Sequence, residues 1–273
     1  MSITGTGTQA DPYVVTTYAE LVEKAAESGV YIKVGNDINI TSEYPEGNMP
    51  TLTINSPIDG DNKKISNWYK ITSGYCVEAK NTVSDLTFGN INIASDCSGF
   101  YHANEQTDPH FENCKFYGIL YKRFKVGDKS ELKGCSMNLN LKFNVSQGEA
   151  VFADFNGIFF NNCYLKADDT TATASRSFFP NFYYSPFAKD SYFEIKTTAT
   201  SLTQYRDGQG AENSVFDIQT NANWTWGNAS GYSCSIFNKT SAPNVSGSNN
   251  VIAVTDENWL DTAYLASIGF NAG

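Results

Sequence analysis

Two acidic residues of this chain have a spacing that could support chemistry on a sugar. Glu194 and Asp217 each follow a phenylalanine, Phe193 or Phe216, in two copies of a repeated phrase. If the copies stack as neighbouring strands, the two carboxylates lie about 5 Å apart and point outward. Such a pair would repel, so one of them would have a raised pKa. Glu194 and Asp217 are therefore the catalytic candidates, although a solvated face with Lys196 nearby is the interpretation that the sequence favours.

Other catalytic patterns have less support. Asp168 and Asp169 are adjacent, but a loop of Thr, Ala and Ser follows them, which indicates a turn. The chain has no nucleophile elbow, phosphate-binding loop or HExxH motif. His102 and His110 are not spaced with cysteines as in a zinc site. The sequence therefore predicts no metal and no cofactor, and it favours a protein without enzymatic activity.

An aromatic segment is the candidate binding or interface surface. Its rings lie in the longest interval between repeats, which predicts an insertion loop. Such rings cover the flank of the domain, bury against another subunit or stack on sugars. The candidate residues are Phe178, Phe179, Phe182, Tyr183, Tyr184 and Phe187, with Trp224 and Trp226 as an extension of the patch.

The elements that must position these residues are short alternating strands that recur along the chain. Each copy has an apolar residue or a cysteine at one fixed place, 18 to 30 residues after the previous one. This interval suits one coil of a β-solenoid with variable loops, in which equivalent strands pair in parallel. A β-sandwich or jelly roll is the competing interpretation, but it leaves the recurring phrase unexplained. The marker positions are Leu86, Cys114, Cys135, Cys163, Phe193, Phe216 and Cys234.

Both ends of the solenoid are predicted to be covered by helices. Thr17 and Glu20 form a capping box, and Gly29 is a plausible helix stop. We therefore expect an N-terminal strand and capping helix over residues 1–30, a parallel β-helix over 31–254 and a C-terminal capping helix over 255–273. These three parts make one structural domain.

Composition narrows the classes of partner. The formal net charge is −10, which argues against general nucleic-acid binding because that needs a basic surface. No apolar run is long enough for a transmembrane helix, so no membrane insertion is expected. The first residues have neither the basic nor the apolar region of a secretory signal. Four of the six cysteines are marker residues, so we expect reduced thiols in the core.

The repeat pattern resembles the right-handed parallel β-helix of pectin lyases and of many phage tailspikes. The opening GTGTQADPYVVTTYAELVE resembles the start of β-helix proteins from tailed phages and bacterial surfaces, and VTDENWLDTAYLASIGF resembles their short helical ending. Pectinase-type hydrolases carry Gly-His and Arg-Ile-Lys on coils after an Asp-Asp pair, and neither follows Asp169 here. The chain is also short for a tailspike.

The resemblance implies a phage virion structural protein: a capsid decoration, head fibre, or tail spike or fibre. Its expected partners are other virion proteins, further copies of itself (a trimer is one form) and a host cell-surface glycan. The expected location is the virion, assembled in the host cytoplasm and then extracellular on the particle. The alternatives are a polysaccharide depolymerase, either hydrolase or lyase, and a bacterial surface adhesin.

Overall fold

The protein was analysed as a computed structural model, which describes most of the chain. The described residues are 3–45, 47–70, 73–94, 96–104, 110–142, 151–152, 157–178, 186–203, 210–226, 235–238, 244–245, 251–254 and 263. Within them the chain forms short strands, an α-helix, α1 (Tyr18–Ala25), and a 3-10 helix (Ile40–Ser42).

The strands are given in chain order. The first nine are β1 (Tyr13–Val15), β2 (Ile32–Val34), β3 (Ile38–Asn39), β4 (Leu52–Ile54), β5 (Ile58–Asp59), β6 (Lys64–Ser66), β7 (Tyr69–Lys70), β8 (Tyr75–Ala79) and β9 (Val83–Ser84). The next nine are β10 (Thr87–Ile93), β11 (Gly99–Ala103), β12 (Phe111–Glu112), β13 (Lys115–Leu120), β14 (Lys125–Gly127), β15 (Ser130–Lys133), β16 (Ser136–Leu141), β17 (Ile158–Asn161) and β18 (Tyr164–Asp169). The last nine are β19 (Ala188–Lys189), β20 (Tyr192–Thr197), β21 (Ser201–Thr203), β22 (Ala211–Glu212), β23 (Val215–Gln219), β24 (Asn223–Trp226), β25 (Ser235–Asn238), β26 (Asn244–Val245) and β27 (Val251–Val254).

These strands stack as a parallel β-helix, which confirms the predicted fold class. The first sheet joins β1, β2, β5, β9, β12, β15, β17, β19 and β22 in that order. The long sheet joins β3, β6, β10, β13, β16, β18, β20, β23, β25 and β27, and β7 also pairs with β10. Smaller sheets join β4, β8, β11 and β14, and β21, β24 and β26. Strand neighbours are parallel and come from successive coils, which excludes the β-sandwich interpretation.

Columns of identical side-chain types fill the core between the sheets. Phe88 stacks on Phe116 with ring centroids 4.8 Å apart, and Phe193 stacks on Phe216 at 4.9 Å. Each distance matches the spacing of paired strands, about 4.8 Å, so parallel rings stack when equivalent residues occupy successive rungs. The fold thus repeats one side-chain packing arrangement from rung to rung.

The helix α1 covers the N-terminal end of the core. Thr17 accepts a hydrogen bond from the amide of Glu20, and the Glu20 carboxylate accepts from the amide of Thr17, which is the predicted capping box. The helix ends at Ala25, before the predicted stop, and Gly29 lies beyond it with a φ of +78°. Strand β1 precedes the helix and pairs with β2, so the first rung already lies at Tyr13. The predicted C-terminal helix lies outside the described residues apart from Ala263.

A column of left-handed turn residues connects the first sheet to the long sheet. Backbone with positive φ favours Gly, Asn and Asp, because other side chains clash with the main chain there. The column consists of Asp85, Asn113, Gly134, Asn162, Asp190 and Asn213, all with φ between +42° and +62°. The first four directly precede the predicted markers from Leu86 to Cys163, and the last two precede Ser191 and Ser214.

The marker column continues with serines and not with phenylalanines. Tyr164 pairs with Tyr192 and Tyr192 with Val215, so the residues equivalent to Cys163 are Ser191 and Ser214. The predicted markers Phe193 and Phe216 lie two residues further on, in the stacked aromatic column. Val215 pairs with Ile236, which aligns Ser235 with Ser214. The predicted marker Cys234 lies outside the described residues.

Small hydrogen-bond donors hold this marker column together. The thiol of Cys163 donates to the carbonyl of Leu132 at 3.2 Å, and the hydroxyl of Ser191 donates to the carbonyl of Phe160 at 3.2 Å. The amide of Cys163 in turn donates to the Ser191 hydroxyl oxygen at 3.0 Å. A thiol and a hydroxyl therefore make the same contact, which explains why serines can follow cysteines in this column. The five described cysteines are free and buried, as expected.

The buried thiols predict a loss of stability in alkaline solution. Burial raises the pKa of Cys76, Cys135 and Cys163 above the ordinary value of 9.0. The folded state therefore holds these protons more tightly, so their contribution is complete below pH 9 and is lost as the pH rises further. Each thiol should lower the unfolding free energy by about 1.4 kcal/mol per pH unit above that point.

The Cys163→Ser variant isolates one of these thiols, because serine keeps the donor and removes the titrating group. Urea unfolding at several pH values between 8 and 10 should give a shallower decline for Cys163→Ser than for the wild type. Identical slopes for the two proteins would contradict the assignment of a raised pKa to Cys163.

Candidate functional site on the long sheet

The structure places the two catalytic candidates side by side on the long sheet. Glu194 in β20 pairs in register with Asp217 in β23. Their sequence neighbours Phe193 and Phe216 are fully buried, because successive side chains of a strand point to opposite faces. The Glu194 side chain is 20% exposed and Asp217 is 8% exposed. The pair thus lies on the outer face but is largely covered by neighbouring side chains.

Glu194 is held as a carboxylate by the preceding rung. One carboxylate oxygen lies 2.7 Å from the ammonium of Lys166, and the other accepts a hydrogen bond from the Tyr164 hydroxyl at 3.0 Å. The Lys166 hydrogen bond, with a smaller contribution from Tyr164, lowers the pKa of Glu194. The sequence predicted a raised pKa for one member of the pair, and Glu194 has the opposite shift because a cation faces it. Asp217 accepts a hydrogen bond from the Gln219 amide at 3.3 Å.

Two stacked tyrosines lie beside this carboxylate pair. The rings of Tyr164 and Tyr192 are 5.4 Å apart and inclined by 20°. Tyr164 is 43% exposed, and its other neighbour in the sheet is Ser136, a small residue. Burial raises the pKa of both phenols, and so do the nearby carboxylates. Both tyrosines are therefore neutral hydrogen-bonding platforms at pH 7 and are poorly suited to act as bases.

The geometry of the site suits binding better than acid catalysis. A general acid for glycoside cleavage needs a carboxyl group with a raised pKa, opposite a second carboxylate. Glu194 has a lowered pKa and is paired with Lys166. This face instead presents the exposed ring of Tyr164, the ammonium of Lys166 and the two carboxylates in fixed positions.

The adjacent aspartates form a turn and a buried ion pair. Asp168 accepts hydrogen bonds from the amide and hydroxyl of Thr170 at 3.0 and 2.6 Å, which is the turn that the sequence indicates. Asp169 is fully buried and lies 3.1 Å from Nε of Arg176. Both carboxylates are thus engaged by groups of the chain itself, and neither is positioned for catalysis on a ligand at the surface.

The predicted aromatic surface is described only in part. Phe178 and Phe187 are 4% and 0% exposed and belong to the core, so neither ring faces a partner. Phe179, Phe182, Tyr183 and Tyr184 lie outside the described residues. The same holds for the side chains of Trp224 and Trp226, whose backbone forms β24.

Sequence reasoning missed Tyr164, Lys166 and Tyr192. Tyr164 and Tyr192 directly follow Cys163 and Ser191 of the marker column, and Lys166 is the residue that pairs with Glu194. All three residues occupy outward positions of the repeat. An alignment of every outward residue in the copies, and not of the acidic residues alone, finds them.

The described residues contain neither a metal-ligand cluster nor a membrane-spanning helix. In that part of the chain, no group of three or more His, Cys, Asp or Glu side chains is arranged to hold a metal ion. No helix within the same residues is both long and apolar enough to cross a membrane.

Comparison with known proteins adds no argument about the fold or the function of this chain. No protein-family model matches the chain, and neither does any curated protein. Among solved structures, the chain is similar to the crystal structure of a Bacteroides ovatus protein described as a candidate immunoglobulin A1 protease. The two share 15% identity over 96% of this chain and 89% of that chain, with a TM-score of 0.47. A similarity at this level carries no argument about function.

The ion pair on the long sheet makes a testable prediction about Glu194. Removing the ammonium in Lys166→Met should raise the pKa of the Glu194 carboxyl, because its largest stabilising contact is lost. Carboxyl titration by NMR measures this pKa directly in both proteins. Lys189→Met is the matched control, since Lys189 is an exposed lysine that faces Glu212 in the first sheet. A Glu194 pKa that is the same in Lys166→Met and wild type would show that the ion pair does not form.

Proposed function

We propose that this chain is a non-enzymatic structural protein of a tailed-phage virion. It is a β-helix appendage displayed on the particle, in contact with other virion proteins and further copies of itself, and it binds a host cell-surface glycan. The observation that carries the proposal is the outer face of the long sheet. There the Tyr164–Tyr192 stack lies beside the Lys166–Glu194 ion pair, and the lowered pKa of Glu194 disfavours acid catalysis.

The architecture supports a display role. Backbone hydrogen bonds run from each rung to the next along the whole described solenoid, so the domain is an elongated body with few unpaired strand edges along its length. The helix α1 covers the core at one end and protects it from edge-to-edge association. Such a body keeps outward side chains in fixed rows, which suits repeated weak contacts with a surface.

The resemblance of the opening segment also supports a particle protein. The residues of GTGTQADPYVVTTYAELVE fold as a tight loop, strand β1 and the capped helix α1. This is a structural unit that begins a β-helix, and the sequence resemblance is to such beginnings in phage and bacterial surface proteins. The unit therefore supports the proposed origin.

Mass spectrometry of purified particles tests the proposal. Particles from the source culture are banded in a density gradient, and peptides of this chain are quantified in every fraction together with a major capsid peptide. We expect the chain to co-sediment with the capsid peptide at a constant ratio, while an abundant host cytosolic protein does not. Its absence from the particle band would reject the virion role.

A polysaccharide depolymerase is the second candidate, favoured by the in-register pairing of Glu194 with Asp217. Under this alternative, the purified protein releases reducing ends or unsaturated uronates from host glycan. Glu194→Gln and Asp217→Asn should then each abolish release. Glu212→Gln is the control, since the Glu212 side chain is 46% exposed and lies on the first sheet. Our proposal predicts no release by the wild-type protein, and release that depends on Glu194 would establish the enzyme instead.

A further inference from the structure

A groove of about 270 Å³ opens on the outer face of the first sheet, near its N-terminal end. One wall is a row formed by Pro12, Tyr31 and Pro57, which directly precede the aligned residues of β1, β2 and β5. The groove reaches the next rung at β9, so it runs along the solenoid axis across rungs that are each about 4.8 Å apart. Its length and volume fit one to two pyranose rings.

The wall of the groove is held in a fixed conformation. The amide of Tyr31 donates to the carbonyl of Gly7 at 2.9 Å, and the amide of Tyr13 donates to the carbonyl of Tyr31 at 2.9 Å. Gly7 has a φ of +77°, and a Cβ there would lie 2.6 Å from the Tyr13 ring, so the loop packs directly on the sheet. A site formed before binding loses less conformational entropy when a ligand enters.

Four polar side chains of the lining still have hydrogen-bonding capacity. Within the described part of the chain, the Gln9 amide and the hydroxyls of Tyr31 and Ser84 have no hydrogen-bond partner. Asp59 accepts from the amide of Asp61 at 2.8 Å through one oxygen, and its second oxygen is unoccupied in the same region. Donors and acceptors are thus both available around a floor formed by Ile32 and Ile58, which are 1% and 2% exposed.

This combination matches the chemistry of a sugar. A pyranose ring has an apolar face that packs on an aromatic ring and hydroxyls that both donate and accept hydrogen bonds. Tyr31 is 38% exposed and offers such a ring, while Gln9, Asp59 and Ser84 supply the polar partners.

The charges around the groove select among sugars. Asp59 is the charged group of the lining, and no Lys or Arg is part of it. The nearby cations Lys33 and Lys63 lie 3.3 and 3.6 Å from Asp61, outside the lining. Lys33 is the in-register neighbour of Asp59, but its ammonium pairs with Asp61, so a uronate or phosphate in the groove would meet the Asp59 carboxylate with no cation in the lining.

We infer that this groove is a binding subsite for a neutral saccharide of one to two pyranose rings, stacked on Tyr31 and hydrogen-bonded to Asp59 and Ser84. The inference rests on the proposed glycan-binding function and gives it a site and a ligand class. The site lies on the first sheet and is formed by residues other than those of the Tyr164–Tyr192 face.

Saturation-transfer NMR on the full chain tests the subsite. The probes are lactose, maltose, cellobiose and N,N′-diacetylchitobiose, with digalacturonic acid as the anionic comparator. We expect transfer to at least one neutral disaccharide and none to digalacturonic acid. Tyr31→Ala should weaken that binding about tenfold, because it removes the stacking ring. Tyr121→Ala, which removes another tyrosine of 37% exposure, should bind as wild type.

A second variant protects the test against loss of folding. Asp59→Asn conserves size and should weaken binding several-fold, because a neutral amide accepts a weaker hydrogen bond than a carboxylate. The subsite is overturned if no neutral disaccharide binds, if Tyr31→Ala and Asp59→Asn both bind as wild type, or if only Tyr164→Ala abolishes binding. Failure of these tests while the chain co-sediments with particles would reject the subsite and leave the virion proposal standing.

Discussion

The left-handed turn before each marker residue is the constraint on which the rest of the structure depends. It bends the chain from the first sheet into the long sheet at the same point of successive coils, from Asp85 to Asn213. Hydrogen bonds at the marker column then set the register between neighbouring rungs. For example, the amide of Tyr192 donates to the carbonyl of the marker Cys163 at 2.8 Å. Because a slip of one residue would exchange the two faces of a strand, this column decides which side chains enter the core.

Both candidate ligand sites follow from the same register. On the long sheet it puts Glu194 between Lys166 and Asp217, so that the acid pair predicted from the sequence has a cation on the preceding rung. On the first sheet it aligns Tyr31 with Pro57 along the axis. A solenoid builds surface features as rows, and each row is as rigid as the backbone hydrogen bonds below it.

Much of the fold could be predicted from the sequence, because one phrase recurs at an interval typical of a β-solenoid. Asp, Asn or Gly precedes each of the predicted markers from Leu86 to Cys163, but the predicted markers after Cys163 are wrong. Phe193 and Phe216 fit the sequence pattern because they are apolar, whereas Ser191 and Ser214 occupy the equivalent position in the structure. From Cys114 to Ser191 the position holds a small donor that reaches a carbonyl of the previous rung, and cysteine and serine both satisfy this geometry.

The sites were less predictable, because their partners come from other rungs. The pKa of Glu194 depends on Lys166, which is 28 residues earlier and adjacent only after stacking. The burial of Phe178 and Phe187 could not be read from an aromatic-rich segment, since such segments cover flanks, enter cores and form interfaces with equal ease. The groove on the first sheet depends on the path of the loop before β1, which local sequence patterns do not determine.

The most direct test of the turn constraint is the unfolding free energy of two variants at Asn162. This residue is exposed and has a φ of +52°, so its substitution changes little besides the backbone preference. The account predicts that Asn162→Gly is more stable than Asn162→Ala by about 1 kcal/mol in urea unfolding, because alanine is strained in the left-handed region. In an ordinary extended or helical conformation alanine would be the more stable of the two. Equal stability, or a more stable alanine variant, would contradict the turn column and the register that both sites depend on.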